Sequence, residues 1–185
     1  SVPPSISADA AGRAAETDGG TDPETGTPLA TPKIANATYI GIGPATTGTS
    51  GDANDPFVYH RDNNATSYFY SVFMDGGENA GLHIEDLFGG TDDSRVQFGD
   101  GLLRHENNLW WNIGPDYDGS TTTFEDIIQL TTYDDDDDDT TPEVPVDPTF
   151  RGTLADYLRN NGNQLLTSSP VTDVTRNSNG VITSF

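Results

Sequence analysis

The chain has no cysteine, so a disulfide framework and a thiolate metal site are both excluded. It has one lysine, Lys33; the remaining cations are Arg13, Arg61, Arg95, Arg104, Arg151, Arg159 and Arg176. With no basic patch to neutralise phosphates, direct nucleic-acid binding is not expected. No apolar run approaches the length that crosses a bilayer. Motifs for nucleophilic chemistry are missing too: there is no Gly-x-Ser-x-Gly elbow and no Ser-x-x-Lys. With 30 acidic residues in 185, any pair chosen as a glycoside-hydrolysing couple carries no weight. No enzyme mechanism is expected.

What is present is charge of one sign. The net charge is −22. In dilute buffer such a surface repels itself and opposes compaction. At about 1 M salt the Debye length is only ~3 Å and the repulsion is screened. An aspartate-rich, lysine-poor composition of this kind resembles that of proteins from halophilic archaea and their viruses. The ions expected around it are loosely held Na⁺, K⁺, Mg²⁺ or Ca²⁺ rather than a dedicated cofactor. Asp116-Tyr117-Asp118-Gly119 is half of a calcium loop, so Asp116 and Asp118 are weak Ca²⁺ or Mg²⁺ candidates. The third ligand and the bidentate Glu are absent.

Residues 1–33 read as an amino-terminal arm, either disordered or ordered against other subunits; they hold too little apolar area to offset the cost of ordering alone. Residues 34–185 read as one β-rich domain, with 12 prolines and 20 glycines punctuating the whole chain. The densest aromatic run, Ser67–Met74, predicts one strand. Alternation sets Tyr68, Tyr70, Val72 and Met74 on one face and Phe69 and Phe73 on the other. Further strands are predicted at Ala37–Ile42, Phe57–Arg61, Arg95–Phe98, Leu102–Arg104, Leu109–Ile113, Phe124–Tyr133 and Gln164–Thr167. A terminal hairpin joins Val171–Arg176 to Val181–Phe185. Leu82–Phe88 fits a strand or a single helical turn, and Leu154–Arg159 has the cap and period of a short helix. The stretch 134–148, opening on six aspartates, is a solvated acidic loop. No repeat is visible, which disfavours a solenoid. The expected fold is all-β: a single jelly roll or sandwich of about eight short strands.

His60, His83 and His105 lack metal-ligand spacing and are expected as packing or surface residues. Trp110 and Trp111 could stack on sugars, but neighbours on a strand point oppositely, so one in the core and one at an interface is simpler. Tyr68, Tyr70, Trp110 and Trp111 are therefore candidate assembly residues. Asn36-Ala37-Thr38 and Asn64-Ala65-Thr66 make Asn36 and Asn64 glycosylation candidates.

In size, composition and strand layout the whole chain is similar to the small major capsid proteins of tailless icosahedral viruses of halophilic archaea. That resemblance implies upright jelly rolls close to an internal membrane, an arm reaching neighbours, and assembly with itself and a second related coat subunit in the virion capsid. Ser120–Thr132 also resembles a segment of camelysin-type fibre proteins, which implies a secreted fibre or pilus subunit as the alternative. The charge makes one prediction independent of fold. The melting temperature should climb steeply between about 0.1 M and about 3 M KCl as screening sets in; an unchanged value over that range would contradict the brine-adapted surface.

Overall fold

A computed structural model of the chain describes residues 13–20, 23–41, 56–77, 81–87, 92–114, 117–133, 143–177 and 182–184. The chain winds in coils. The first coil holds β1 (Ala15–Asp18), β2 (Lys33–Ala35) and β3 (Thr38–Ile40). The second holds β4 (Val58–Arg61), β5 (Ser67–Phe69) and β6 (Val72–Gly77). The third holds β7 (Leu82–Ile84), α1 (Ser94–Gly99), β8 (His105–Glu106) and β9 (Leu109–Ile113). The fourth holds β10 (Ile128–Gln129), β11 (Thr132–Tyr133), β12 (Val144–Pro145), α2 (Phe150–Asn160) and β13 (Gln164–Leu165). A terminal pair, β14 (Thr175–Arg176) and β15 (Ile182–Ser184), is antiparallel.

Each principal strand pairs in parallel with its counterpart one coil on, giving three parallel sheets: β1-β4-β7-β10, β2-β5-β8 and β3-β6-β9-β13. The three sheets enclose one interior. His60 from the first sheet, Tyr68 and His105 from the second, and Phe73 and Trp110 from the third are in ring contact with one another. This is a parallel β-coil with helical insertions. It corrects the expected single jelly roll, whose sheets would be antiparallel, and it is the solenoid that the sequence pattern disfavoured. Part of the expected arm belongs to the coil as well, since Ala15–Asp18 is hydrogen-bonded along β4. Residues 1–12 of that arm and Asp134–Asp139 lie outside the described residues.

The coil is set by a two-residue corner between the second and third sheets. Asn36, Tyr70, Asn107 and Gly162 occupy its first position, all at positive φ (58°, 49°, 57° and 74°). A Cβ on Gly162 would lie 2.4 Å from Asn107 Oδ1, so any larger residue there would have to displace that side chain as well as adopt a left-handed backbone. The second position carries the side chains that join the coils. Ser71 Oγ accepts from Ala37 N–H (3.2 Å), Asn108 Oδ1 from Ser71 N–H (2.9 Å), and Asn163 Oδ1 from Asn108 N–H (3.3 Å). In the other direction Asn108 Nδ2 donates to Tyr68 C=O (3.0 Å) and Asn163 Nδ2 to His105 C=O (2.8 Å). Inside the corner, Tyr39, Phe73 and Trp110 stack at centroid spacings of 5.2 and 4.4 Å. Each such ring pair adds about 0.5–1.5 kcal/mol beyond its burial.

The corner also corrects the reading of Ser67–Met74 as one strand. The left-handed residue at Tyr70 shifts the alternation, so Tyr68 and Phe73 both point inward and meet edge to face. Arg95–Phe98 forms α1 instead of a strand, because Asp93 Oδ1 accepts from Val96 N–H (2.8 Å) and caps the turn. Phe124–Tyr133 splits into a 3-10 turn at Glu125–Ile127 followed by β10 and β11. Helix α2 buries Phe150, Leu154, Ala155 and Leu158 along one stripe and takes the place of a fourth strand in the second sheet. Among the described residues no helix is long and apolar enough to cross a membrane.

Replacing Asn163 by Ala removes bonds to Asn108 N–H, Trp110 Nε1–H, His105 C=O and Leu158 C=O at once. The loss expected in denaturant unfolding is about 3 kcal/mol, since each buried group left unpaired costs ~1–3 kcal/mol. The exposed neighbour change Gln164→Ala should stay within about 0.5 kcal/mol.

Candidate functional site

Two imidazoles meet in the interior of the coil. His60 Nε2 and His105 Nε2 are 2.9 Å apart, and both residues are fully buried. Their protonation follows from the surrounding bonds. Thr66 N–H donates to Asn64 Oδ1 (2.8 Å), which fixes that atom as the oxygen. His60 Nδ1–H therefore donates to Asn64 Oδ1 (3.0 Å), leaving His60 Nε2 to accept from His105 Nε2–H. His105 Nδ1 then carries a lone pair with no hydrogen-bond partner among the described residues. Burial holds His60 down at about 4 and His105 well below the usual imidazole range. The two neutral rings are buried inside the coil and pack against Tyr68.

The outer face of the first sheet carries an ordered polar surface. Register aligns Glu16, Tyr59, His83 and Gln129 across its four strands. His83 stacks on Tyr59 at 4.5 Å, and the guanidinium of Arg13 sits 5.0 Å over the same Tyr ring. Thr131 Oγ1 lies 2.8 Å from His83 Nε2 and accepts from Asp86 N–H (3.0 Å), so its proton is directed at the imidazole. His83 too is held neutral, at about 4, chiefly by burial. Glu85 Oε2 accepts from Asp62 N–H (2.7 Å), and burial raises its carboxyl above the usual range. Arg95 bridges Asp86 and Asp147 and lies 4.5 Å over the Phe150 ring. These contacts tie the loop ahead of α2 to the third coil.

The outer face of the third sheet is crossed by the segment 169–176, which leaves a cleft of about 340 Å³ against Met74, Asp75 and Trp111. Arg176 anchors the crossing by donating to Gly41 C=O (2.6 Å) and Asp75 Oδ2 (2.9 Å). Asn112 Nδ2 donates to the other oxygen of Asp75 (2.8 Å).

The candidate residues divide between inside and outside. Tyr68 and Trp110 are fully enclosed and offer no surface to a second chain, whereas Tyr70 is exposed and Trp111 lines the cleft. Asn36 is exposed at its corner; Asn64 is buried with its amide committed to His60 and Thr66. Asp118 Oδ1 accepts from Ser120 N–H and Thr121 N–H (2.8 and 2.7 Å), a turn that holds its carboxyl down at about 2. Asp116 lies outside the described residues, among which no cluster of three or more metal-ligating side chains occurs. Residue spacing did not reveal the ladder of Ser71, Asn108 and Asn163 or the Asp75–Arg176 pair. The first has a signal in the chain, a small or amide residue two positions before each inward ring or Leu165; the second spans 101 residues and has none.

The histidines make stability depend on pH. A folded value of about 4 against 6.5 means the unfolded chain binds more protons in that window, so stability falls as pH descends through it. His83→Phe keeps the ring on Tyr59 and removes one such site. Between pH 6.5 and 4 in molar KCl, the wild type should lose a few kcal/mol relative to this variant, at about 1.4 kcal/mol per pH unit. Parallel stability curves would contradict the buried neutral imidazole.

Comparison with protein-family models, with curated proteins and with solved structures finds no match to this chain.

Proposed function

We propose that the chain is a structural, self-associating subunit of an assembly that stands in concentrated salt, on a virion or a cell surface. The capsid reading drew on a jelly roll and loses that support; the coarser role of a building block in brine does not need one. The observation that carries it is Tyr70. The equivalent corner positions hold Asn36, Asn107 and Gly162, residues that tolerate positive φ. A tyrosine there, at φ 49° and with 64 % of its surface exposed, is a bulky side chain in a conformation costing about 1–2 kcal/mol. Strain kept on an exposed aromatic is a reason to assign it a function.

Its surroundings suit a protein contact. Phe69 precedes it on β5, and Val72 and Leu109 pair side by side just past the corner, all three half-buried. This strip lies on a chain whose other surface is strongly acidic. In brine, where charge attraction between subunits is screened, an aromatic and aliphatic contact remains effective. The partner is a second copy or a sister subunit presenting the same kind of surface.

Sedimentation velocity in about 3 M KCl tests this. The wild type should associate with rising concentration, and Tyr70→Asn should stay monomeric while melting at the same temperature or higher. A wild type that is monomeric throughout would refute the proposal, as would association that survives Tyr70→Asn.

A further inference from the structure

We propose that the cleft over the third sheet binds a single uncharged pyranose ring of a glycan. Its apolar surface is Trp111, backed by the fully buried Met74 with which it pairs in register on the adjacent strand, and Val171 and Val174 close it from the crossing segment. Its rim is polar and fixed in place. Asp75 is held at one oxygen by Asn112 and at the other by Arg176, while Ser169, Thr172 and Asp173 line the opposite wall. An aromatic face beside oriented hydrogen-bonding groups matches a sugar ring, which has an apolar C–H face and a hydroxyl edge.

Three further features favour this ligand. The volume of about 340 Å³ sits at the small end of the ~300–1,000 Å³ range of ligand clefts, which suits one ring rather than an extended chain. The Asp75–Arg176 pair is charge-balanced, and Asp173 together with the chain's net charge of −22 disfavours an anion. Stacking and short-range hydrogen bonds to an uncharged ring are less weakened by molar salt than long-range charge attraction. The backbone is also held in unusual conformations around the cleft: Asp75, Asn112 and Asp173 have φ of 59°, 53° and 67°. Such outliers gather where a site is pre-organised.

The two indoles make the test internal to the wild-type chain. Trp110 Nε1–H is buried and bonded to Asn163 Oδ1 (3.3 Å), whereas Trp111 lines the cleft. In ¹⁵N-resolved NMR in molar KCl, methyl glycosides of glucose, galactose, mannose and N-acetylglucosamine are titrated in turn, with tetramethylammonium as a cationic comparison. At least one glycoside should shift the Trp111 indole resonance saturably and leave that of Trp110 in place. Calorimetry should then show affinity for that glycoside falling at least about tenfold in Trp111→Ala. If that variant does not fold, Asp173→Ala on the exposed wall should weaken binding instead. The proposal is overturned if no glycoside saturates by about 100 mM, well above the range of a useful site. It is equally overturned if tetramethylammonium alone binds, or if affinity survives in the folded variant.

Discussion

The amide ladder at the corner between the second and third sheets is the constraint on which the structure depends. Parallel strands have no tight hairpin to set their register, and a slip of one residue would turn every inward ring outward. Here Ser71, Asn108 and Asn163 fix it by bonding each coil to the next through groups buried from water. Each side chain is satisfied in both directions, so a shifted register would leave several buried donors and acceptors unpaired. The stack of Tyr39, Phe73 and Trp110 follows from the alignment, since each is two residues past the ladder position on its own coil.

That arrangement explains how so acidic a chain acquires a core. A single cluster of apolar side chains fills the inside of the coil, and the polar groups that accompany it there are kept neutral: two imidazoles, hydroxyls and amides. The carboxylates that are buried, Asp62, Asp75, Glu85, Asp86 and Asp93, sit in loops, at strand ends or, for Asp75, beside the cleft. Arginine gathers carboxylates into small networks such as Asp86–Arg95–Asp147 and Glu125–Arg159–Asp156. Surface pairs of this kind contribute little singly, typically about 0–1 kcal/mol, but here they fasten loops of unequal length to a regular frame. The two surfaces proposed for contact, the exposed Tyr70 corner and the Trp111 cleft, both lie outside the coil.

Several elements were legible in the sequence. Strands near 57–61 and 109–113, the helix around 154–159 and the terminal hairpin all appear close to the expected places. The winding was hidden because the interval between equivalent residues changes, from 34 to 37 to 55 residues across Thr38, Val72, Leu109 and Gln164. Insertions such as α1 and α2 enter between strands without disturbing the ladder, so a fixed-period repeat is absent even though the structure repeats. A short signature survives: Asn36-Ala37-Thr38-Tyr39, Tyr70-Ser71-Val72-Phe73, Asn107-Asn108-Leu109-Trp110 and Gly162-Asn163-Gln164-Leu165 are equivalent. Tyr70 disguised it, because tyrosine signals a strand interior and not a left-handed corner. The interior histidine pair was foreseeable only as packing residues; their contact joins positions 45 apart through the coil itself.

Hydrogen exchange at the side-chain amides of Asn108 and Asn163 tests the ladder most directly, because these protons are seldom protected unless buried and bonded. If the ladder sets the coil, both should exchange only through global unfolding, as slowly as the slowest backbone amides, while the exposed Asn160 side chain exchanges at the rate of a free amide. Exchange of Asn108 and Asn163 as fast as Asn160, in a chain that remains folded, would contradict the account.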